Sequence, residues 1–403
     1  MTHTTPSALS PAETPALPAA REPDLWVRWL RLSAFRNYST AELTLDGRPV
    51  VLVGPNGAGK TNLLEAVSFL ASGRGMRRAK LSEVERRGDD ARDGATSPWA
   101  VAAEVETPDG PRRIGTGRDP VAAGRERRVV RLDGRSANGQ TALGEIVAVT
   151  WLTPRMDRLF QDTPAARRRF LDRLVFGLDP AHAGRVTGYE HALRERARLL
   201  RGEQRPDPAW LSVLEARMAE KAVAITAARR DLIDRLTRAG ETGRGAFPKA
   251  SLGLSGDLEH WLDRESALDA EERLQDALRD GRRRDAETGG AAVGPHRSDL
   301  VTVHVAKDVP AEQCSTGEQK ALLIAIVLAH ARLLTAERGF APLVLLDEVA
   351  AHLDAERRAA LFADLLALGA QAWMTGTDSA LFATLGERAQ MFTVADGTIR
   401  PTA

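Results

Sequence analysis

Apolar and polar residues change their spacing several times along the chain, and each change predicts an element. Val27, Trp29, Leu43 and Leu45 alternate with polar neighbours, the period of two that half-buried strands show, so order is expected to begin near Trp26. At Val50–Val53 the alternation stops. Four apolar residues run uninterrupted into Gly54-Pro55-Asn56-Gly57-Ala58-Gly59, then into Lys60-Thr61-Asn62-Leu63-Leu64-Glu65-Ala66, a string of good helix formers. The order there is buried strand, glycine loop, helix. Over 157–284 the apolar spacing lengthens to that of helices, as at Val186, Tyr189, Leu193, Ala197 and Leu200, and Arg, Ala, Leu and Glu dominate. The longest candidate covers 208–239 with a seam of Leu211, Leu214, Met218, Ile225, Leu232 and Leu236. At about 1.5 Å per residue it reaches roughly 45 Å. Beyond Gly289-Gly290 alternation returns at Val301, Val303 and Val305, followed by a buried helix over 317–336 and the all-apolar strand Leu343–Leu346. The first region therefore resumes after the helical one, and no internal repeat is present.

Composition narrows the class without naming a chemistry. A chain of 403 residues suits about two or three domains, and 43% hydrophobic with 28% charged residues describes a globular protein. Basic and acidic side chains number 56 and 55, so attraction to a polyanion must come from local clustering. One cysteine, Cys314, excludes an internal disulfide and a cysteine-based metal cluster within one chain, and fits a reducing cytoplasmic setting. The most apolar stretch, 321–329, is shorter than the ~20 residues of a bilayer span and predicts a buried helix. Residues 1–23, rich in Ala, Pro and Thr, predict a disordered tail and not a signal peptide.

Gly54-x-x-x-x-Gly59-Lys60-Thr61 has the spacing of a phosphate-binding loop. Glycines let backbone N–H groups turn toward a polyphosphate, and the following helix N-terminus favours its charge. Pro55, Asn56, Gly57 and Ala58 fill the loop, Lys60 reaches the terminal phosphates, and Thr61 can ligate Mg²⁺. Leu343-Val344-Leu345-Leu346-Asp347-Glu348 is a buried strand ending in two carboxylates. Alone, such a pair is an ordinary solvated strand end. With the upstream loop, Asp347 is expected beside the metal and Glu348 as the group that orients or deprotonates the attacking water.

Ser315-Thr316-Gly317-Glu318-Gln319-Lys320 opens the second buried helix and resembles the signature motif of the ABC superfamily. Ser315, Gly317 and Glu318 with the exposed N–H groups of a helix start offer a second anion site. The plain alternative is a helix cap, since Ser315 and Glu318 have capping-box spacing. The motif's place one helix ahead of Asp347-Glu348 favours a nucleotide shared by two subunits. Ala351-His352-Leu353-Asp354 resembles the loop that crosses the dimer seam in such proteins.

Between Lys60 and Ser315 lie 254 residues, far more than transporter ATPase subunits carry there. This insertion and several local strings resemble the RecF family. The strings are Leu32-Ser33-Ala34-Phe35-Arg36-Asn37-Tyr38, the whole phosphate loop through Ala66, Gly73-Arg74-Gly75-Met76-Arg77-Arg78, Arg167-Arg168-Arg169-Phe170-Leu171-Asp172 and Gly294-Pro295-His296-Arg297-Ser298-Asp299-Leu300. The resemblance covers about 25–397. It implies an α/β fold, an ABC/SMC-type P-loop ATPase head with an inserted α-helical arm domain. The expected layout is a tail at 1–23, the ATPase at 24–155 and 289–403, and the arm at 156–288. It further implies ATP and Mg²⁺ as cofactors, an ATP-dependent homodimer on gapped or single-strand/double-strand junction DNA, and work with RecR and RecO in loading RecA, with weak DNA-stimulated ATP hydrolysis as a switch.

Arg74, Arg77, Arg78 and Lys80 are the candidate DNA contacts, able to neutralise phosphates without reading bases; the alternative is a solvated charged turn. Phe170 and Leu171 beside Arg167, Arg168 and Arg169 suggest a helix packed on the ATPase. His330 is expected to be structural, and His296 to support a turn or the nucleotide site. Arg36 and Asn37 suit a strand-end turn or the edge of a ligand site. Two departures from the ABC pattern stand out. No glutamine lies near Trp151-Leu152-Thr153-Pro154, where the metal-sensing one is expected, Gln161 being further along. No histidine follows the last core strand in Trp373-Met374-Thr375-Gly376-Thr377-Asp378. A transporter subunit would have a short insertion, and a chromosome-maintenance clamp would have a long heptad arm; Pro206 and Pro208 interrupt this one.

Overall fold

The computed structural model describes residues 17–86, 98–119, 127–202, 206–241 and 245–402. In chain order it runs β1 (Trp26–Phe35), β2 (Tyr38–Thr44), β3 (Val50–Val53), α1 (Lys60–Ser68), β4 (Ala100–Glu106), β5 (Arg112–Arg118), β6 (Arg128–Leu132), β7 (Arg135–Ser136), α2 (Leu143–Ile146) and β8 (Val149–Leu152). The insertion follows as α3 (Pro164–Leu178), α4 (His182–Leu200), α5 (Pro208–Glu241), β9 (Ala250–Ser255), α6 (Asp257–Leu262), α7 (Ala267–Asp280) and α8 (Arg282–Thr288). The return comprises β10 (Asp299–His304), β11 (Val309–Pro310), α9 (Thr316–Arg338), β12 (Leu343–Leu346), α10 (Ala355–Leu368), β13 (Ala372–Gly376), β14 (Gln390–Ala395) and β15 (Thr398–Pro401).

A six-stranded sheet in the order β15-β14-β3-β13-β12-β8 forms the centre, parallel except for the β14–β15 hairpin. Both of its faces are covered, which explains the unbroken apolar runs of β3 and β12. Val50 and Leu52 with Leu343 and Leu345 face a core shared with α1 and the antiparallel sheet β2-β1-β4-β5-β6-β7. Val51, Val344 and Leu346 face the opposite core, built with α3, α9, α10 and the end of α5. Because α9 lies in that core, 78% of its most apolar window is buried inside the fold, although its composition and length would suit a membrane span.

The insertion has its own core of α4, α5 and α7, and two buried ion clusters lock it. Arg196 donates to Glu215 and Asp285, both at 2.9 Å, and to Leu278 O at 2.6 Å. Arg229 grips Asp172 with Nε at 2.8 Å and Nη2 at 2.9 Å, and reaches Pro295 O at 2.7 Å; His182 lies 2.9 Å from the same carboxylate. These bonds hold α3, α4 and α5 against the returning loop. Each charge has its partner, so the cost of burying it is offset only while the partner stays in place.

Three findings differ from the pattern reading. The segment read as helical contains a strand, β9, which pairs antiparallel with β10 so that the arm shares a three-stranded sheet with the chain that leaves it. Val301 and Val305 of the alternating run face outward, at 43% and 50% exposure, while Leu300, Thr302 and His304 are buried. Alternation gives a period but not which side is covered. Finally, the expected tail is laid against the core from Leu17, and Arg21 N donates to Leu366 O at 3.2 Å; residues 1–16 lie outside the described residues.

Candidate functional site

The glycine loop leaves β3, and at its first and last glycines close contacts leave no room for larger residues. A Cβ at Gly54 would overlap the Val394 carbonyl, and one at Gly59, where φ is +113°, would come within 2.5 Å of Asn37 Nδ2 and 2.6 Å of the Tyr38 hydroxyl. Asn37 donates to Ala58 O at 3.1 Å and accepts from Asn62 at 2.7 Å, so the β1–β2 turn braces the loop from outside. Lys60 is buried and its ammonium donates to Gly54 O at 2.6 Å and Pro55 O at 2.9 Å, spanning the loop. Burial lowers its pKa, opposed by the charges of Glu348 and Asp347.

The two ends of the chain meet at Asp347. Thr61 Oγ1 donates to Asp347 Oδ1 at 2.8 Å and Thr375 Oγ1 donates to the same oxygen at 2.9 Å. Burial holds the Asp347 carboxyl above its usual range, with the two hydroxyls opposing and Glu348 adding to the rise. A buried carboxylate beside a second acid and two hydroxyls is an all-oxygen set, the donor chemistry that suits Mg²⁺. Glu348 has φ +52°, the left-handed region that costs a non-glycine residue about 1–3 kcal/mol. Its backbone N–H donates to Thr375 Oγ1 at 2.8 Å, which holds that turn.

At the start of α9 the capping box exists in full. Ser315 Oγ accepts from Glu318 N at 3.4 Å, and Glu318 Oε2 accepts from Ser315 N at 3.0 Å and Ser315 Oγ at 2.9 Å. Lys307 donates to the other oxygen, and these bonds, Lys307 first, hold the Glu318 carboxyl down to about 2. Ser315 and Glu318 thus serve as a helix cap inside one chain, while a Cβ at Gly317 would meet nothing within 4 Å. Asp354 caps α10 with its side chain alone, accepting from Arg357 N at 2.8 Å, and Ala351 and His352 before it are exposed.

Residues 26–400 match the family model described as RecF/RecN/SMC N terminal domain. A curated relative from Rhizobium meliloti (strain 1021), named DNA replication and repair protein RecF, is 50% identical over 372 residues, 92% of this chain and 97% of its own length. This chain belongs to the RecF family. A protein of the same name from Agrobacterium fabrum (strain C58 / ATCC 33970) is also 50% identical over 372 residues, with the same coverage. A solved structure described as the recombination mediator protein RecF-ATPrS in the RecFOR pathway superposes with a TM-score of 0.79 at 21% identity, over 96% of this chain and 100% of that one. The fold is therefore the ABC/SMC-type ATPase head expected from the motifs, and RecF membership sets the transporter subunit aside.

The basic segment of this RecF-family chain divides in two. Arg74, Arg78 and Lys80 are exposed. Arg77 turns inward, donating to Asn62 Oδ1 at 2.6 Å and to Glu65 Oε2 at 3.1 Å. Glu65 is fully buried on α1 and also takes a bidentate pair from Arg36, both bonds 2.8 Å. Arg128 donates to Gly73 O at 2.7 Å with its guanidinium 5.1 Å from the Phe69 ring centre, fastening the turn that presents Arg74. Partial desolvation, then the like charges of Arg169 on α3 and of Arg74, lowers the Arg78 pKa, opposed by the charges of Glu190 and Asp172. On that helix Arg167 is committed to Asp299 at 2.6–2.7 Å and Arg168 to Ser298 O at 2.6 Å, while Arg169 is exposed.

His330 is buried, 2.9 Å from Leu174 O, and desolvation lowers it to about 3, a structural histidine. His296 supports the return turn through Tyr189 at 2.7 Å and Ala291 O at 2.9 Å. Gln161 is exposed; after β8 it is Asp157 that reaches α9, through Lys320 at 3.2 Å. Pattern reading missed Thr375 and Glu65 as parts of the site. Strand order could have found the first, because β12 pairs with β13 at Leu346↔Met374 and the next residues in step are Asp347 and Thr375. No local signal marks the second.

Proposed function

We propose that this protein is an ATP-dependent, DNA-binding recombination mediator. Two copies close around ATP on gapped or junction DNA and, with RecO and RecR, assist the loading of RecA in the cytoplasm. The Thr61–Asp347 hydrogen bond of 2.8 Å carries the reading, since it assembles one nucleotide site from both ends of the chain. The 50% identity to proteins named for DNA replication and repair supplies the process.

In this reading Gly54–Gly59 backbone N–H groups and Lys60 bind the phosphates, and Thr61 with Asp347 would hold Mg²⁺, which when bound neutralises charge on the phosphate oxygens. Glu348 orients the attacking water and accepts its proton. Ser315, Gly317 and Glu318 close over the nucleotide of the second copy. Hydrolysis, weak and stimulated by DNA, opens the dimer. The test is light scattering with ATP and a gapped duplex together, where doubling of the protein mass on the DNA is expected. A monomer under all conditions counts against the reading.

Lys60→Ala should raise the Kd for ATP about 10–100-fold, because charge-assisted bonds to the terminal phosphates are worth roughly 1.5–3 kcal/mol and the loop loses its internal brace. Isothermal titration with unchanged affinity would sink the nucleotide assignment. The DNA face is assigned to Arg74, Arg78, Lys80 and Arg169, with Arg77 linking that face to Glu65. Replacing Arg74, Arg78 and Arg169 with Ala should weaken binding to every sequence alike and flatten the log–log salt dependence by roughly 0.9 per lost phosphate contact, with ATP affinity unchanged. Equal binding across a salt series would place the DNA face elsewhere.

A further inference from the structure

β13 is an apolar strand with one polar interruption. Ala372, Trp373 and Met374 fill the two cores, whereas Thr375, 1% exposed, brings a hydroxyl to the same depth. A buried hydroxyl is unfavourable unless bonded, and packing alone would be met by Val. A hydroxyl has one proton to give and lone pairs to accept with. Thr375 gives its proton to Asp347 Oδ1 at 2.9 Å and accepts the Glu348 backbone N–H at 2.8 Å. One atom is thereby bonded to both acids of the site. It orients the Asp347 carboxylate jointly with Thr61, and it anchors the backbone at the residue where φ is +52°. Branching at Cβ limits the rotamers of Thr375, so the hydroxyl is delivered in one direction.

We propose that Thr375 is a positioning residue for ATP hydrolysis, using its single hydroxyl to set the orientation of Asp347 and the backbone of Glu348 together. The inference rests on the ATPase reading above. Without the hydroxyl, Asp347 keeps only Thr61 and the Glu348 N–H loses its acceptor, so the metal aspartate and the water-orienting glutamate are loosened in one step. Nucleotide binding through Lys60 and the loop does not pass through Thr375.

The experiment compares native protein, Thr375→Val, which matches the shape, and Thr375→Ser, which keeps the hydroxyl. It measures kcat and KM for ATP, the Mg²⁺ concentration giving half-maximal rate, ATP affinity in the presence of a chelator, and the midpoint of thermal unfolding. Thr375→Val is expected to lower kcat about 10-fold or more and to raise the half-maximal Mg²⁺ concentration several-fold, with metal-free ATP affinity within about 2-fold of native. Thr375→Ser should recover kcat to within about 3-fold. A Val variant with native kcat and native Mg²⁺ requirement overturns the proposal. So does a loss equal in Val and Ser that tracks the unfolding midpoint, which is what a packing role gives. Native protein that turns over no ATP, with or without DNA, fails the ATPase reading itself, a result distinct from either.

Discussion

Glu348→Gln is expected to bind ATP nearly as the native protein does, to turn it over about 10²–10⁴-fold more slowly, and to accumulate as ATP-bound dimers. The amide matches the carboxylate in shape but takes no proton from water. The phosphate-holding parts stay as they are: Lys60 keeps its bonds to Gly54 O and Pro55 O, and Asp347 keeps Thr61 and Thr375. The Glu348 charge adds to the rise in the Asp347 pKa, so neutralising residue 348 lets Asp347 ionise more readily. The left-handed turn is a backbone property shared by Gln, still anchored by Thr375. Phosphate release, equilibrium nucleotide binding and mass by light scattering on one preparation check all three outcomes. Release at the native rate would show that Glu348 is not the base.

What could be read beforehand follows from how far apart the cooperating residues lie. The glycine loop is contiguous, and its strand and helix neighbours write themselves in short patterns, so its place between β3 and α1 was legible. Asp347 and Glu348 stood out only in company, since an apolar strand ending in two acids is ordinary by itself and the upstream glycine loop is what singles it out. Thr375 was not: its bonds cross between strands, and a threonine at a strand end carries no mark of what stands beside it. Glu65 looked like an ordinary helix former, yet its burial is made possible only by Arg36 and Arg77, 29 and 12 residues away. Arg77 for the same reason reads as part of a basic cluster while its charge is directed inward. β9 failed for want of length, since the six residues Ala-Ser-Leu-Gly-Leu-Ser alternate weakly inside a helix-rich stretch and gain their identity only from β10.

Ser315→Arg separates the two roles open to the start of α9. If that segment closes over the nucleotide of a second copy, each monomer should still bind ATP through Lys60, while a bulky cation at the seam prevents closure, so ATP-dependent dimerisation and hydrolysis fail together. The surface is suited to such an approach, since a Cβ at Gly317 would meet nothing within 4 Å and its own chain makes no use of the missing side chain. The cap alone predicts otherwise. Ser315 has φ −61° and ψ 158°, a conformation Arg adopts readily, and its backbone N–H bond to Glu318 Oε2 survives the change. Loss of the hydroxyl cap then costs about 0.5–2 kcal/mol and leaves association intact in whatever remains folded. Thermal stability, ATP affinity and ATP-dependent mass distinguish these outcomes. Mixing Ser315→Arg with Lys60→Ala adds a second reading. In the mixed dimer one site is damaged at both its loop and its facing helix, and the other combines an intact Lys60 with an intact Ser315. Partial hydrolysis should return if one nucleotide suffices for closure. Normal ATP-dependent dimerisation by Ser315→Arg alone would rule the shared site out, because no arginine side chain at that helix start could be accommodated between a phosphate and the cap that is meant to touch it.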